Sequence, residues 1–146
     1  MKIRVLTIHG IIFQLDNGSV VAVTDPSVIT SSITDVRSSS AKSGGIVYDG
    51  GASITERGIC WSLSPNPTIL DNKTNDGIGS GTFISTMTGL SSFTTYYVRA
   101  YATNSIGLMY GDEKIFTTEN DFRLLFGIDS DTLAYGDNID DALIWN

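Results

Sequence analysis

Turn-forming clusters break this chain at short, regular intervals, and that spacing limits the fold more than any other feature. Asp49-Gly50-Gly51, Ser64-Pro65-Asn66-Pro67 and the polar stretch 71–81 separate runs rich in Val, Ile, Thr and Tyr. Runs of this length and composition, bounded by Gly, Pro, Asn and Asp, are the pattern of an all-β sandwich rather than of helices. The spacing predicts strands over residues 29–38, 41–48, 56–63, 82–87, 96–103 and 112–117, with a weak edge strand and loop over 71–81. Pro65 and Pro67 end the third of these because proline cannot donate to a sheet ladder. The best helical candidate is short, residues 137–145, with early acidic residues and Ile139, Leu143 and Ile144 at helix-like spacing.

The 146 residues exceed what such a sandwich needs, about 100, so each end is left with a segment of its own. We divide the chain into an N-terminal strand and hairpin arm (1–26), the sandwich (27–118) and a C-terminal extension (119–146). Ile11-Ile12-Phe13-Gln14-Leu15 and Ser19-Val20-Val21-Ala22-Val23 flank Asp16-Asn17-Gly18. Asn and Gly accept positive φ, so this tripeptide is a strong hairpin signal. Lys2 and Arg4 before an apolar stretch approach a signal peptide. His9 and Gly10 interrupt that stretch, and no small-residue cleavage site follows, so the expectation is a hairpin of a mature, unsecreted protein. No run is long enough to span a membrane as a helix.

Sixteen acidic against nine basic residues give a net charge of −7. Phosphate backbones repel such a surface, so no nucleic-acid partner is expected. Asp121, Asp129, Asp131, Asp137, Asp140 and Asp141 concentrate acidity late in the chain. Asp129-Ser130-Asp131 and Asp137-Asn138-Ile139-Asp140-Asp141 offer oxygen ligands, but their spacing does not match an EF-hand loop. The single cysteine, Cys60, can form no internal disulfide, and with His9 the lone histidine there is no zinc set and no supported Cys-His pair. Gly77-Ile78-Gly79-Ser80-Gly81 precedes a strand, not the helix that a phosphate-binding loop requires. Hydrolase and metalloprotease motifs are absent as well. The chain reads as a non-enzyme with no cofactor and no metal.

The stretch Gly89-Leu90-Ser91-Ser92-Phe93-Thr94-Thr95-Tyr96-Tyr97-Val98-Arg99-Ala100-Tyr101-Ala102 resembles the E–F corner and F strand of fibronectin type III domains. In that family a Leu is followed six residues later by a Tyr and then by alternating apolar positions, places filled here by Leu90, Tyr96, Val98 and Ala100. The resemblance implies an immunoglobulin/fibronectin type III-like sandwich. Tyr96 is then the corner tyrosine, its ring in the core and its hydroxyl bonded to the backbone a few residues upstream. Further stretches, Gly50-Gly51-Ala52-Ser53-Ile54-Thr55-Glu56-Arg57-Gly58-Ile59-Cys60-Trp61-Ser62 and Phe116-Thr117-Thr118 among them, look like a variant common in proteins of the Bacteroidetes. There such modules recur in tandem in surface or secreted chains. This chain carries one copy, no clear secretion signal and flanks that read as folded. That combination is similar to small virion proteins of tailed phages infecting this bacterial group, which carry such modules on capsids and tails.

Trp61 is expected in the core with Tyr96, Leu90 and Val98; an exposed face stacking on a sugar is the functional alternative. Cys60 alternates to the other face of the strand, so both residues are inside only if that second face is covered too, as another subunit would do. Tyr97, Arg99 and Tyr101 share the face of the F strand opposite Tyr96, the residue mix enriched at interfaces, with Glu56 and Arg57 positioned to pair across it. Ile11, Phe13, Leu15, Phe122, Leu124, Leu125, Phe126, Ile144 and Trp145 are the expected anchors of the two arms, each contributing about 1.5–3 kcal/mol when buried. The expected partners are other protein subunits, capsid or tail proteins or further copies of the chain, and the expected location is the virion. The alternative is a carbohydrate- or receptor-binding module at a bacterial or phage surface, using loops 64–76 and 104–109. A spacer within a longer surface protein is a third reading.

Overall fold

The computed structural model describes residues 5–8, 11–16 and 19–121. Every regular element among them is a β strand. An N-terminal meander comprises β1 (Val5–Ile8), β2 (Ile11–Asp16) and β3 (Ser19–Val23), antiparallel throughout, with Val5 opposite Gln14 and Asp16 opposite Ser19. The expected N-terminal strand pairs with the first strand of the expected hairpin.

The remaining strands form two sheets. β4 (Ser27–Thr30), β5 (Ser40–Tyr48) and β8 (Gly81–Thr88) make one, in that order. The other runs β10 (Leu108–Tyr110), β9 (Thr95–Thr103), β6 (Glu56–Ser62), β7 (Asn72–Lys73), with β11 (Lys114–Thr117) also on β9. Residues alternate between core and outside along β8 and β9, as a pleated strand dictates. Val47, Met87 and Phe83 from the smaller sheet meet Ile59, Trp61, Tyr96, Val98, Ala100 and Phe116 from the larger. The rings of Tyr96 and Phe116 stack at 5.8 Å. The Tyr96 hydroxyl accepts the Ser91 amide at 2.9 Å, the corner geometry that the resemblance to fibronectin type III domains implied.

Two strands differ from their sequence expectation. The first strand of the sandwich starts earlier and ends at Thr30 rather than continuing to residue 38; only an isolated bridge, Thr34 to Lys42, keeps the later segment on β5. Asp35 then takes a positive φ of 47°, which breaks an extended run. The last strand is split between β10 and β11 at Gly111. A Cβ there would lie 2.5 Å from Thr30 Oγ1, so only glycine lets β4 approach this closely. The buried Thr30 hydroxyl accepts the Ala100 amide at 3.0 Å, and Gly111 N–H donates to the Ala100 carbonyl at 2.9 Å. The split thus ties the two sheets together at their shared edge.

Candidate interaction surface

Sequence parity puts Tyr97, Arg99 and Tyr101 of β9 on one face, and the structure separates them. Tyr101 is not available to a partner: it is fully buried. Its ring lies over Gly58, directly opposite on β6, and its hydroxyl faces the Thr74 carbonyl at 2.6 Å and Glu56 Oε1 at 2.8 Å. A Cβ on Gly58 would meet the Thr74 carbonyl oxygen at 2.2 Å and the Tyr101 ring at 2.9 Å. The segment after β7 makes this cover. Thr74 N–H donates to Ile59 O and Asp76 N–H to Arg57 O, which extends the pairing beside β6 beyond the two residues of the regular strand.

The loop before β7 explains how Cys60 and Trp61, neighbours of opposite parity, are both buried. Trp61 is 8% exposed and packs in the core, leaving no open ring face for a sugar. Cys60 on the outer side is roofed by Pro67, whose carbonyl lies 3.4 Å from the sulfur. The chain's own loop supplies the cover for which another subunit was the expectation. Burial pushes the Cys60 thiol up to about 11, against a smaller opposite influence from Arg99.

Glu56 and Arg57 do not pair with each other. Glu56 accepts Lys73 Nζ at 2.7 Å, and these bonds from Lys73 and Tyr101 hold its carboxyl below the usual glutamate range. Burial, reinforced by Glu56, pushes the Tyr101 hydroxyl strongly upward. Adjacent side chains alternate, so Arg57 points to the other side of β6. There its guanidinium sits 5.3 Å above the Phe83 ring and donates from one terminal nitrogen to the carbonyls of Gly79 (2.9 Å) and Ser80 (3.0 Å). Arginine thereby pins the glycine-rich loop, which leads into β8 and not into a helix.

What stays on the surface is Tyr97 and Arg99, joined by two residues that parity alone did not single out. The Arg99 guanidinium lies 4.5 Å from the Tyr110 ring centroid, and its Nε donates to Gly111 O at 3.2 Å. The Tyr110 hydroxyl accepts the Ile69 amide at 3.1 Å. One Tyr110 face and its hydroxyl are therefore already engaged. Ile115, 60% exposed, stands opposite Tyr97. The smaller sheet also carries apolar groups on its outer face: Ile29, Tyr48 and Ile84 are exposed, and Ile46 partly so. Ile84 was legible in principle. It is the one large apolar residue out of phase with Phe83, Ser85 and Met87, which face in.

Of the expected arm anchors, Ile11, Phe13 and Leu15 lie on β2, where the structure describes only the backbone. Phe122, Leu124, Leu125, Phe126, Ile144 and Trp145, with the late acidic pairs and the short helix expected over 137–145, lie outside the described residues. Among the described residues, no helix is long and apolar enough to cross a membrane, and no three His, Cys, Asp or Glu side chains gather as a metal set would.

No protein-family model and no curated protein matches the chain. Solved structures similar to it include the sensor domain of the anti-sigma factor RsgI4 from Pseudobacteroides cellulosolvens, at 15% identity over 67% of this chain and 98% of that one, with a TM-score of 0.49. A crystal structure of titin domains is 19% identical over 75% of this chain and 40% of that one, with a TM-score of 0.47. The third fibronectin III domain of human KIAA0343 protein is 15% identical over 62% of this chain and 78% of that one, with a TM-score of 0.43. The β4-β5-β8 sheet packed on the β10-β9-β6-β7 sheet, closed by a tyrosine corner, is itself a fibronectin type III-like sandwich.

Proposed function

We propose that this chain is a non-catalytic interaction protein, a rigid sandwich that holds neighbouring protein subunits. In its most specific form it is a component of a tailed-phage virion, an auxiliary capsid, head-fibre or tail-associated protein docked through its terminal segments. The observation that carries the interaction reading is the Arg99 guanidinium fixed over Tyr110, with Tyr97 and Ile115 beside it on the surface. Arginine and tyrosine held in place before binding lose little side-chain freedom to a partner, the property that concentrates binding energy in such residues. The virion form draws support from one sandwich flanked by two segments rich in large apolar residues, where a spacer needs only linkers.

Truncation tests the docking role. Glu119 bonds Arg37 and Phe93 through its backbone, so a chain ending at Asp121 keeps the sandwich intact. That truncated chain is expected to be soluble and β-structured but to fail to enter particles, and Arg99→Ala with Tyr97→Ala in the full-length chain to weaken incorporation. A truncated chain that enters particles at the level of the full chain overturns the virion form.

A further inference from the structure

We infer that the free edge of β8 pairs with the β8 edge of a second copy of this chain, antiparallel about a two-fold axis through Ile84, giving a dimer with a continuous six-stranded sheet. The inference deepens the interaction reading above and rests on it, but it uses a different surface.

β8 is the last strand of its sheet, and among the described residues no strand pairs with its outer edge. Open edges invite strand addition, and proteins normally block them with shortness, charge, proline or bulges. The other edges of the two sandwich sheets carry such blocks. β4 is four residues long, β7 is two residues with Lys73 in it, and the β10–β11 edge is broken at Gly111-Asp112-Glu113. β8 runs for eight residues, Gly81-Thr82-Phe83-Ile84-Ser85-Thr86-Met87-Thr88, with no charge and no proline.

Self-complementarity selects the second copy as the occupant. An antiparallel strand centred on Ile84 puts Ile84 beside its own copy and Thr82 beside Thr86 on the outer face, and Phe83 beside Ser85 on the inner one. Shifting the centre by one residue either way sets Ile84 against threonine instead. Matched Ile–Ile and Thr–Thr neighbours are favourable cross-strand pairs, and a two-fold contact is self-complementary by construction. Ile84 is 76% exposed, and its neighbour on β5 is Gly44, so among the described residues no β5 side chain covers its inner flank. Charge agrees. A chain at −7 repels its copies in general, but β8 carries no carboxylate and the only charged residue of β5 behind it is Lys42. Two copies can meet here without bringing acidic groups together.

Ile84→Cys and Thr86→Cys in the full-length chain test both pairing and register. Directly opposite Cα atoms lie about 4.5–5.5 Å apart, inside the range of about 4.4–6.8 Å that a disulfide spans. Fully buried Cys60 does not compete. Under mild oxidation Ile84→Cys is expected to give a covalent dimer. Thr86→Cys alone is expected to give none, because its opposite number is Thr82. In parallel, the unmodified chain is expected to show a concentration-dependent dimer in sedimentation, abolished by Ile84→Lys, with circular dichroism confirming that the variant is folded. A chain that is monomeric up to high micromolar concentration overturns the inference, whether β8 is left open or is paired by residues 122–146 or by a foreign strand. Cross-linking of Thr86→Cys as efficient as that of Ile84→Cys overturns the register. A monomeric chain that still enters particles defeats β8 pairing alone, and a dimer that stays out of particles defeats the virion form alone.

Discussion

The Tyr101 hydroxyl lies between the Glu56 carboxylate at 2.8 Å and the Thr74 carbonyl at 2.6 Å, so one phenol ties β9 to β6 and to the segment that follows β7. The Glu56 carboxylate also accepts Lys73 Nζ at 2.7 Å. Tyr101→Phe keeps the ring over Gly58 and removes only the donor. Hydrogen bonds to charged groups contribute about 1.5–3 kcal/mol, and a loss of that order is expected in urea denaturation at neutral pH.

Glu56 gives that bond a pH signature. Its carboxyl is held below the ordinary glutamate value of 4.5 by Lys73 first and Tyr101 second. A depressed carboxylate contributes stability that is fully present above its unfolded value and lost as pH falls through its folded one. Glu56→Gln is therefore expected to flatten the acid limb below about pH 4.5 and to leave the stability difference between pH 6 and pH 8 unchanged. A variant whose acid limb keeps the wild-type slope would contradict this assignment.

Gly58→Ala tests the cover rather than the bond. The added Cβ would fall 2.2 Å from the Thr74 carbonyl oxygen, a backbone atom that cannot rotate away. Overpacking of this kind costs about 1–3 kcal/mol. The expected local consequence is faster amide exchange at Thr74 and Asp76, whose N–H groups bond Ile59 and Arg57.

Asn104 joins three stretches of chain. Its amide donates to Thr24 O at 2.9 Å and Asp49 O at 2.8 Å, and its carbonyl accepts the amides of Ile106 and Gly107. Two donors and two acceptors use its whole side-chain capacity. Asn104→Ala removes a donor from the Thr24 carbonyl and leaves the Asp49 carbonyl with the longer bond from Ala52 N–H, at 3.3 Å. The expected cost is about 1–3 kcal/mol, with broadened or shifted NMR signals at Thr24 and Gly50 while the Tyr96 corner is unchanged.

The parts of this fold legible in the sequence were those written in local order. Leu90 and Tyr96 stand six apart, the spacing on which the resemblance to fibronectin type III domains placed the corner, and turn residues bracket the β5, β6 and β9 segments, so strand order follows from near neighbours. The fate of the outer face was not written that way. Parity put Tyr97, Arg99 and Tyr101 together, but Tyr101 is buried by a stretch, Asp71-Asn72-Lys73-Thr74-Asn75-Asp76-Gly77, with no apolar signal at all. It covers the ring with backbone carbonyls and a threonine, and a polar sequence does not advertise that use. The end of β4 was missed for a related reason. Thr30 is the last residue paired in β4, and its hydroxyl serves Ala100 in the other sheet, a contact 70 residues away.

Cys60 provides a direct probe of whether the loop roof stays closed. Thiolate is the reactive form, and with the thiol pushed up to about 11 by burial only a small fraction is ionised at pH 8. Access is closed as well, because Cys60 is fully buried under Pro67. An aromatic disulfide reagent at pH 8 is therefore expected to titrate almost no thiol in the native chain and one per chain in denaturant, with the native rate set by opening of the loop over Cys60. Pro67→Ala is expected to raise the native rate with only a modest change in global stability, since it loosens the roof and leaves Trp61 and the core in place. Rapid native labelling of the unmodified chain would mean that the loop before β7 does not stay closed over the outer side of β6.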